Sequence, residues 1–298
     1  MRKAAVAKTL ELNYGLKVTD ATRENFARRI NLFLADNERG KRIVVRIGEH
    51  RFPLPASRSN GHLEGTVQLA VDQVEKLAAD DQLSYSAVLA EGDRRQFTGT
   101  VHLVRPQGLS VISDIDDTIK ITEVAKTRKT LENTFFRDFQ AAPGMSQIYG
   151  KWAEQGVKFN FVSSSPWQLY EPLDEFSRRA GFPSAPFSLK YVRLKDRTLL
   201  NLLKKGTETK PRQIEPILES YRGRRFILIG DSGEQDPEVY ADMARKHPEQ
   251  IVRIYIRNVT KASPQDERFK KVFDGVSSAK WELFTDPSSL ELPGPSSR

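Results

Sequence analysis

The run Val111-Ile112-Ser113 leads without a break into Asp114-Ile115-Asp116-Asp117-Thr118. A short β-branched run of this kind reads as a buried strand, and this one stops on carboxylates spaced by one residue. Side chains two apart on an extended backbone face the same way. Asp114 and Asp116 therefore share one face, where two bare carboxylates repel unless a cation or a shared proton separates them. Ligands of open α/β sheets gather outside the carboxyl ends of strands. The pattern points to a hard divalent cation, with Mg2+ the best match, and one carboxylate left for chemistry. The competing reading is a polar loop whose Asp and Thr serve as turn and helix-cap residues.

Two later apolar runs end in the same manner. Lys158-Phe159-Asn160-Phe161-Val162 ends in Ser163-Ser164-Ser165-Pro166-Trp167, and Arg225-Phe226-Ile227-Leu228-Ile229 ends in Gly230-Asp231-Ser232-Gly233-Glu234-Gln235-Asp236. Between them lies the basic stretch Lys204-Lys205-Gly206-Thr207-Glu208-Thr209-Lys210. A phosphomonoester is dianionic and asks for positive charge and hydrogen-bond donors around three oxygens. Mg2+, an ammonium, a serine hydroxyl and the N–H groups of the turn after Asp114 would supply them. A carboxylate could then attack phosphorus in line, while a second protonates the departing alkoxide and later deprotonates water. Lys210 is the favoured lysine because it precedes the helix-like Ile214-x-x-Ile217-Leu218. Lys190, in an alternating strand-like run, and Lys195 stay open as alternatives. Ser163, the first polar residue after its strand, is favoured, with Ser164 beside it because the strand boundary is soft by a residue.

These four elements, in this order, resemble the signature of the haloacid-dehalogenase-like phosphohydrolases. Gly108 through Lys120, Phe161 through Tyr170, and Phe226 through Glu238 are similar to one branch of them, the actin-patch type of phosphatidate phosphatase. The resemblance runs from about Gly108 to Leu290. It implies an aspartyl-phosphate mechanism in which Asp114 is the nucleophile and Asp116 the acid/base. Thr118 steadies the loop and, with Ser163, Ser164 and Lys210, serves the phosphoryl group. Asp114, Asp116 and Asp231 would hold Mg2+, with Asp236 orienting the metal site. Members acting on carbon–halogen bonds lack an Asp at position 116, so the resemblance implies a phosphatase. The implied substrate is phosphatidate, converted to diacylglycerol, or a similar lipid phosphate.

The expected fold is α/β: a HAD-like Rossmannoid parallel sheet with covering helices and a small cap, preceded by a smaller all-β, sandwich-like domain. The domains would be 1–107, 108–290 and a flexible tail, 291–298. Alternation predicts strands over 8–18, 28–34, 41–47, 62–69, 83–89 and 96–104, and one helix over 72–79. All four motifs lie beyond Gly108, so a chain starting there is expected to keep the metal site. With Cys 0, thiolate metal sites, disulfides and cysteine catalysis are excluded. Nucleotide-loop, dinucleotide and serine-hydrolase motifs are missing from the sequence, and its four histidines lack ligand spacing. No apolar run approaches bilayer-spanning length and Lys8 breaks the N-terminal apolar stretch too early for a signal peptide, so a cytoplasmic protein is expected. The net charge of +8 would steer an anionic substrate, an anionic membrane or nucleic acid; nucleic acid is disfavoured because no binding motif accompanies it. Lys126 to Phe139, with three phenylalanines among cations, is read either as an interfacial lid over the site or as a helix packed on the sheet. Phosphatase chemistry on a soluble or nucleic-acid phosphomonoester, and an interaction module with a regulatory site, are the alternative functions.

Overall fold

The structure, a computed structural model, describes residues 2–35, 37–191 and 209–294. The chain opens with two helices, α1 (Arg2–Tyr14) and α2 (Asp20–Leu34), where strands over 8–18 and 28–34 are expected. Helix α1 stops at Gly15, whose φ of +65° suits a residue without Cβ and whose N–H returns to the Glu11 carbonyl at 2.9 Å. On α2 the buried residues are Phe26, Arg29, Ile30 and Phe33. That spacing is helical; reading the window from Arg28 instead of Phe26 disguises it as alternation.

Two bodies follow. One gathers the described residues between Ala35 and Arg105 together with Tyr191; the other gathers those up to Leu34, Pro106–Lys190 and those from Thr209 onward. The boundary at 107 is thereby corrected: the first 34 residues cluster with the larger body. The smaller body is a single antiparallel sheet in the order β2-β1-β3-β4, built from β1 (Val44–Ile47), β2 (His50–Pro53), β3 (Gln82–Val88) and β4 (Thr98–His102), with one helix, α3 (Val71–Leu77). The strand expected over 62–69 does not form. Val45, Ile47 and Leu83 are its buried apolar residues. Tyr85 sits opposite Gly99 in the register, and a Cβ on Gly99 would lie 2.3 Å from that ring.

The larger body is a six-stranded parallel sheet in the order β10-β9-β8-β5-β6-β7. Its strands are β5 (Gly108–Asp114), β6 (Lys158–Pro166), β7 (Phe187–Lys190), β8 (Arg224–Asp231), β9 (Ile251–Arg257) and β10 (Trp281–Phe284). Val111, Ile112, Phe226, Ile227, Leu228, Ile229, Ile254 and Ile256 are fully buried, as expected of parallel strands covered on both faces. Ile214 and Leu218 of α7 (Thr209–Ser220) and Tyr240 and Met243 of α8 (Asp236–Lys246) pack against Ile112, Phe226 and Leu228. Tyr149 and Trp152 of α5 (Met145–Glu154) join an aromatic layer with Phe159, Phe161 and Phe182. The remaining helices are α6 (Tyr170–Arg179) and α9 (Glu267–Val272). From β5 the chain winds through β6 to β7, then returns to β8 on the other side of β5. The direction of winding reverses between β5 and β8, the point outside whose carboxyl ends open α/β sheets place their ligand crevice. At the other end of the chain, the Tyr255 hydroxyl donates to the Glu291 carbonyl at 2.6 Å; the expected tail is described only as far as residue 294.

The cap expected after β5 amounts, among the described residues, to α4 (Thr127–Phe135). Its rings face inward: Phe135, Phe136 and Phe139 are 1%, 3% and 5% exposed. Phe26 meets Phe136 with ring centroids 5.1 Å apart, and Phe33 meets Phe135 at 5.5 Å. Arg29 Nη1 donates to the carbonyls of Thr134 and Arg137, both at 2.7 Å. Burial pulls its guanidinium down to about 10, which still leaves it charged at neutral pH. The cations of this segment are engaged too: Lys126 pairs with Glu123 at 3.2 Å, Lys129 with Glu132 at 3.2 Å, and Arg128 donates to the Tyr14 carbonyl at 3.0 Å. The three rings are thereby spent on an internal core and are withheld from a lipid surface.

Phe33→Ala should destabilise the protein by about 3–5 kcal/mol, the usual cost of emptying a buried aromatic site, read as a lower midpoint in urea. A chain starting at Gly108, stripped of α1 and α2, should bind a hydrophobic dye or aggregate. A soluble fragment with unchanged stability would show that α2 is dispensable.

Candidate active site

Asp114 closes β5 and Asp231 closes β8, so the sheet delivers both carboxylates to the crevice where the winding reverses. The turn after Asp114 is wound tightly: the N–H groups of Thr118, Ile119 and Lys120 all reach the Ile115 carbonyl, at 3.3, 3.0 and 2.9 Å. Asp117 holds that turn. Its φ is +58°, a left-handed conformation that Asp tolerates better than most residues. Its carboxylate accepts the N–H groups of Thr122, Glu123 and Val124, each at 2.7 Å. Arg257 donates to its carbonyl at 2.7 Å.

Asp114 is 1% exposed. Its Oδ1 faces Lys210 Nζ at 2.8 Å, and its Oδ2 accepts the Thr118 hydroxyl at 2.9 Å. Lys210 Nζ also lies 3.2 Å from Glu234 and contacts Asp236. Asp236 in turn accepts the N–H of Asp231 at 3.0 Å. Gly230 makes that approach possible, since a Cβ there would stand 2.2 Å from Asp236 Oδ2. One oxygen of Asp231 accepts from Gly233 and Glu234 N–H at 2.6 and 3.1 Å. The other, Oδ2, is buried with no hydrogen-bond partner. Arg268 braces this loop, donating to the carbonyls of Ser232 and Glu234 and, at 2.8 Å twice, to the Glu238 carboxylate.

The charge balance is incomplete. Three carboxylates, Asp114, Glu234 and Asp236, meet the ammonium of Lys210, and a fourth, Asp231, interacts with it electrostatically. Burial, then repulsion from Asp236, Glu234 and Asp231, raises Asp114 well above the ordinary carboxylate range in spite of Lys210. Burial, and next the neighbouring Asp236, do the same to Asp231 and, less strongly, to Glu234. On Lys210 burial acts downward, but Asp114, Asp236 and Glu234 outweigh it and lift the ammonium well above its usual value. Asp114, Glu234 and Asp236 each offer an oxygen within 4.8 Å of the others, a donor set that fits a hard divalent cation. Asp231, an expected ligand, is not part of this converging group, although its Oδ2 is buried without a hydrogen-bond partner among the described residues. Glu234 was not among the expected ligands, although it stands inside the motif that carries Asp231 and Asp236.

Asp116 is placed differently. Its Oδ1 meets Lys120 Nζ at 2.8 Å and accepts the Thr122 hydroxyl at 2.7 Å. Its Oδ2 accepts the hydroxyls of Ser163 at 2.9 Å and Ser165 at 2.8 Å. Burial would push this carboxyl up, but Lys120 and the hydroxyl donors outweigh it and hold the group well below the ordinary range. Both Asp116 oxygens have protein partners, and the converging group of Asp114, Glu234 and Asp236 is formed without Asp116. The Ser163 hydroxyl donates to Asp116 while accepting the Ser165 N–H at 2.8 Å. Strand β6 continues through Pro166, so Ser163 and Ser165 share a face and Ser164 points the other way. The Thr118 hydroxyl donates to Asp114 Oδ2. Of the three candidate lysines, Lys210 reaches Asp114; Lys190 ends β7 opposite Pro166, and Lys195 lies outside the described residues. Lys120 and Ser165 were missed. Alternation along β6 could have found Ser165.

Residues 109–258 match the family model "Phosphatidate phosphatase APP1, catalytic domain". Phosphatidate phosphatase APP1 of Saccharomyces cerevisiae is 36% identical over 164 residues, 54% of this chain and 27% of that protein. An uncharacterised protein of Schizosaccharomyces pombe is 33% identical over 188 residues, 60% of this chain and 31% of that protein. The chain thus spans about a third of the length of these curated relatives. Among solved structures, D,D-heptose 1.7-bisphosphate phosphatase from B. bronchiseptica, complexed with magnesium and phosphate, aligns at a TM-score of 0.36 and 11% identity, covering 61% of this chain and 95% of that one.

A divalent cation should raise the melting temperature, and the increment should grow with pH. The sign follows from Asp114, Asp231 and Glu234, whose folded-state values are raised. Their contribution to stability is complete below the ordinary carboxylate value of about 4 and is lost as pH rises through the raised values, when the repelling charges form. A cation binds the ionised cluster and offsets that loss. Thermal melts with and without magnesium chloride from pH 4 to pH 8 measure this; a pH-independent increment would argue against a carboxylate site.

Proposed function

The chain belongs to the family of the phosphatidate phosphatase APP1 catalytic domain, and on that footing we propose a Mg2+-dependent phosphatase acting on phosphatidate, or a similar lipid phosphate, through an aspartyl-phosphate. The carrying observation is Asp114, held between Lys210 and Thr118 at the end of the central strand, two residues from a second buried carboxylate in a separate environment. Asp114, Glu234 and Asp236 would hold Mg2+, with Asp231 adjoining them; when bound, the ion supplies positive charge that screens these carboxylates from one another and from the substrate's phosphate.

Lys210 then offers its ammonium to a phosphoryl oxygen. An Asp114 oxygen attacks phosphorus, the bond to the diacylglycerol oxygen breaks, and Asp116 delivers a proton to that oxygen. In the second half Asp116 takes a proton from water, the water oxygen attacks phosphorus, and the bond to Asp114 breaks, releasing phosphate. Before substrate arrives, Lys120 and three hydroxyls favour ionised Asp116. A phosphate dianion entering beside it disfavours that charge and makes the carboxyl a readier proton carrier. The net charge of +8 supports approach to an anionic substrate or lipid surface.

Phosphate release with Mg2+ across lipid and soluble monoesters tests this reading. Asp114→Asn should abolish turnover on every substrate. Asp116→Asn should cost about 10²–10⁴-fold in kcat/KM, which reports phosphoenzyme formation, on phosphatidate, whose alkoxide needs a proton, and much less in kcat/KM on p-nitrophenyl phosphate. Higher kcat/KM on a soluble alkyl phosphate than on phosphatidate would keep the chemistry and discard the lipid; turnover by Asp114→Asn would discard the mechanism.

A further inference from the structure

Lys120 takes no part in the acidic cluster around Lys210, yet its side chain is only 2% exposed. Burying an ammonium is expensive unless every face of it is compensated. Its Nζ meets Asp116 at 2.8 Å, contacts the Thr122 hydroxyl, and lies 4.8 Å from the centre of the Phe139 ring. The same ring carries a second cation: Arg29 Cζ stands 3.9 Å from its centre. A ring face attracts cations through its quadrupole, so Phe139 joins Arg29 of α2 to Lys120 of the catalytic turn.

The backbone keeps the three groups in place. Ile121 N–H donates to the Gln140 carbonyl at 2.8 Å and Ala142 N–H to the Ile119 carbonyl at 2.8 Å, tying the turn of Asp116 to the residues following Phe139. Arg29 holds the carbonyls of Thr134 and Arg137, which fixes the stretch entering Phe139. Phe176 closes another side of the ring, with centroids 6.0 Å apart.

We propose that Lys120, Phe139 and Arg29 form a positioning relay that holds the Asp116 carboxylate where proton transfer occurs, so that α2 contributes to catalysis. None of the three touches the reacting atoms; they act through Asp116, and the inference rests on the acid/base assignment above. A relay of this kind affects the step that needs a proton, whereas a purely structural contact affects every substrate alike.

The test uses the full chain with Mg2+ and two substrates: dioctanoyl phosphatidate in detergent micelles, whose leaving group needs a proton, and p-nitrophenyl phosphate, whose leaving group does not. Lys120→Met keeps the stem and removes the charge. Phe139→Leu keeps most of the volume and removes the ring. Arg29→Met cuts the outer link, and Asp116→Asn is the reference. Lys120→Met should lose about tenfold or more in kcat/KM, which reports phosphoenzyme formation, on phosphatidate beyond its loss in kcat/KM on p-nitrophenyl phosphate. Phe139→Leu and Arg29→Met should lose several-fold in the same direction. The Lys120→Met/Phe139→Leu double variant should be no worse than Lys120→Met alone, as coupled residues behave. Equal losses on both substrates in Lys120→Met and Phe139→Leu, or strictly additive losses in the double variant, would overturn the relay. If Lys120→Met fails to fold, Phe139→Leu decides by the same ratio. A reference Asp116→Asn that lacks the substrate bias would overturn the acid/base assignment itself, a result distinguishable from failure of the relay alone.

Discussion

Repulsion among Asp114, Asp231, Glu234 and Asp236 is the constraint on which the larger body depends. A sheet that gathers three carboxylates around one ammonium, with Asp231 close enough to be felt by both, holds charge that its own side chains leave uncompensated. The surrounding architecture keeps that charge in place. Parallel strands β5 and β8 bring Asp114 and Asp231 to adjacent ends, Gly230 lets Asp236 approach the backbone, and Arg268 ties down the loop between Asp231 and Glu238. Such an arrangement is expensive as a structural element, since apolar residues of similar volume would serve stability as well or better. It makes physical sense as a cation site.

The two carboxylates of the Asp114-Ile115-Asp116 turn have been pushed apart electrostatically. Asp114 lies among other carboxylates and is raised, while Asp116 lies under Lys120 and three hydroxyls and is lowered. Divergent environments for two neighbouring acids are the usual means by which one site runs two kinds of chemistry. The partition runs through the fold: the strand alternation that aims Ser163 and Ser165 at Asp116 turns Ser164 away, and α7 carries Lys210 to Asp114 instead.

Much of this was legible in the chain. Apolar runs ending in Asp114, Ser163 and Asp231 sufficed for a parallel sheet with its site at the strand ends, because burial on both faces leaves an unbroken hydrophobic signature. The preference for Lys210 rested on its position at the start of a helix, and the structure brings it to Asp114. What escaped were features decided by tertiary contact. The strand expected over 28–34 proved to be helical because Phe26 and Phe33 answer to Phe136 and Phe135, which are far away in sequence. The phenylalanines at 135, 136 and 139 look the same in sequence whether they meet lipid or another helix. Lys120 carried no signal of its own: a lysine two residues beyond Thr118 reads as solvated until Phe139 and Asp116 are seen to enclose it.

The central claim is that Asp114 carries the phosphoryl group between substrate and water. Acid-quenching the protein during turnover of phosphatidate radiolabelled in its phosphate, followed by peptide mapping, tests it most directly. The account predicts an acid-stable, alkali-labile acyl phosphate on the peptide containing Asp114, lost in Asp114→Asn and accumulating in Asp116→Asn with an activated aryl phosphate. Turnover without any trapped phosphoenzyme, or label on a peptide lacking Asp114, would contradict it.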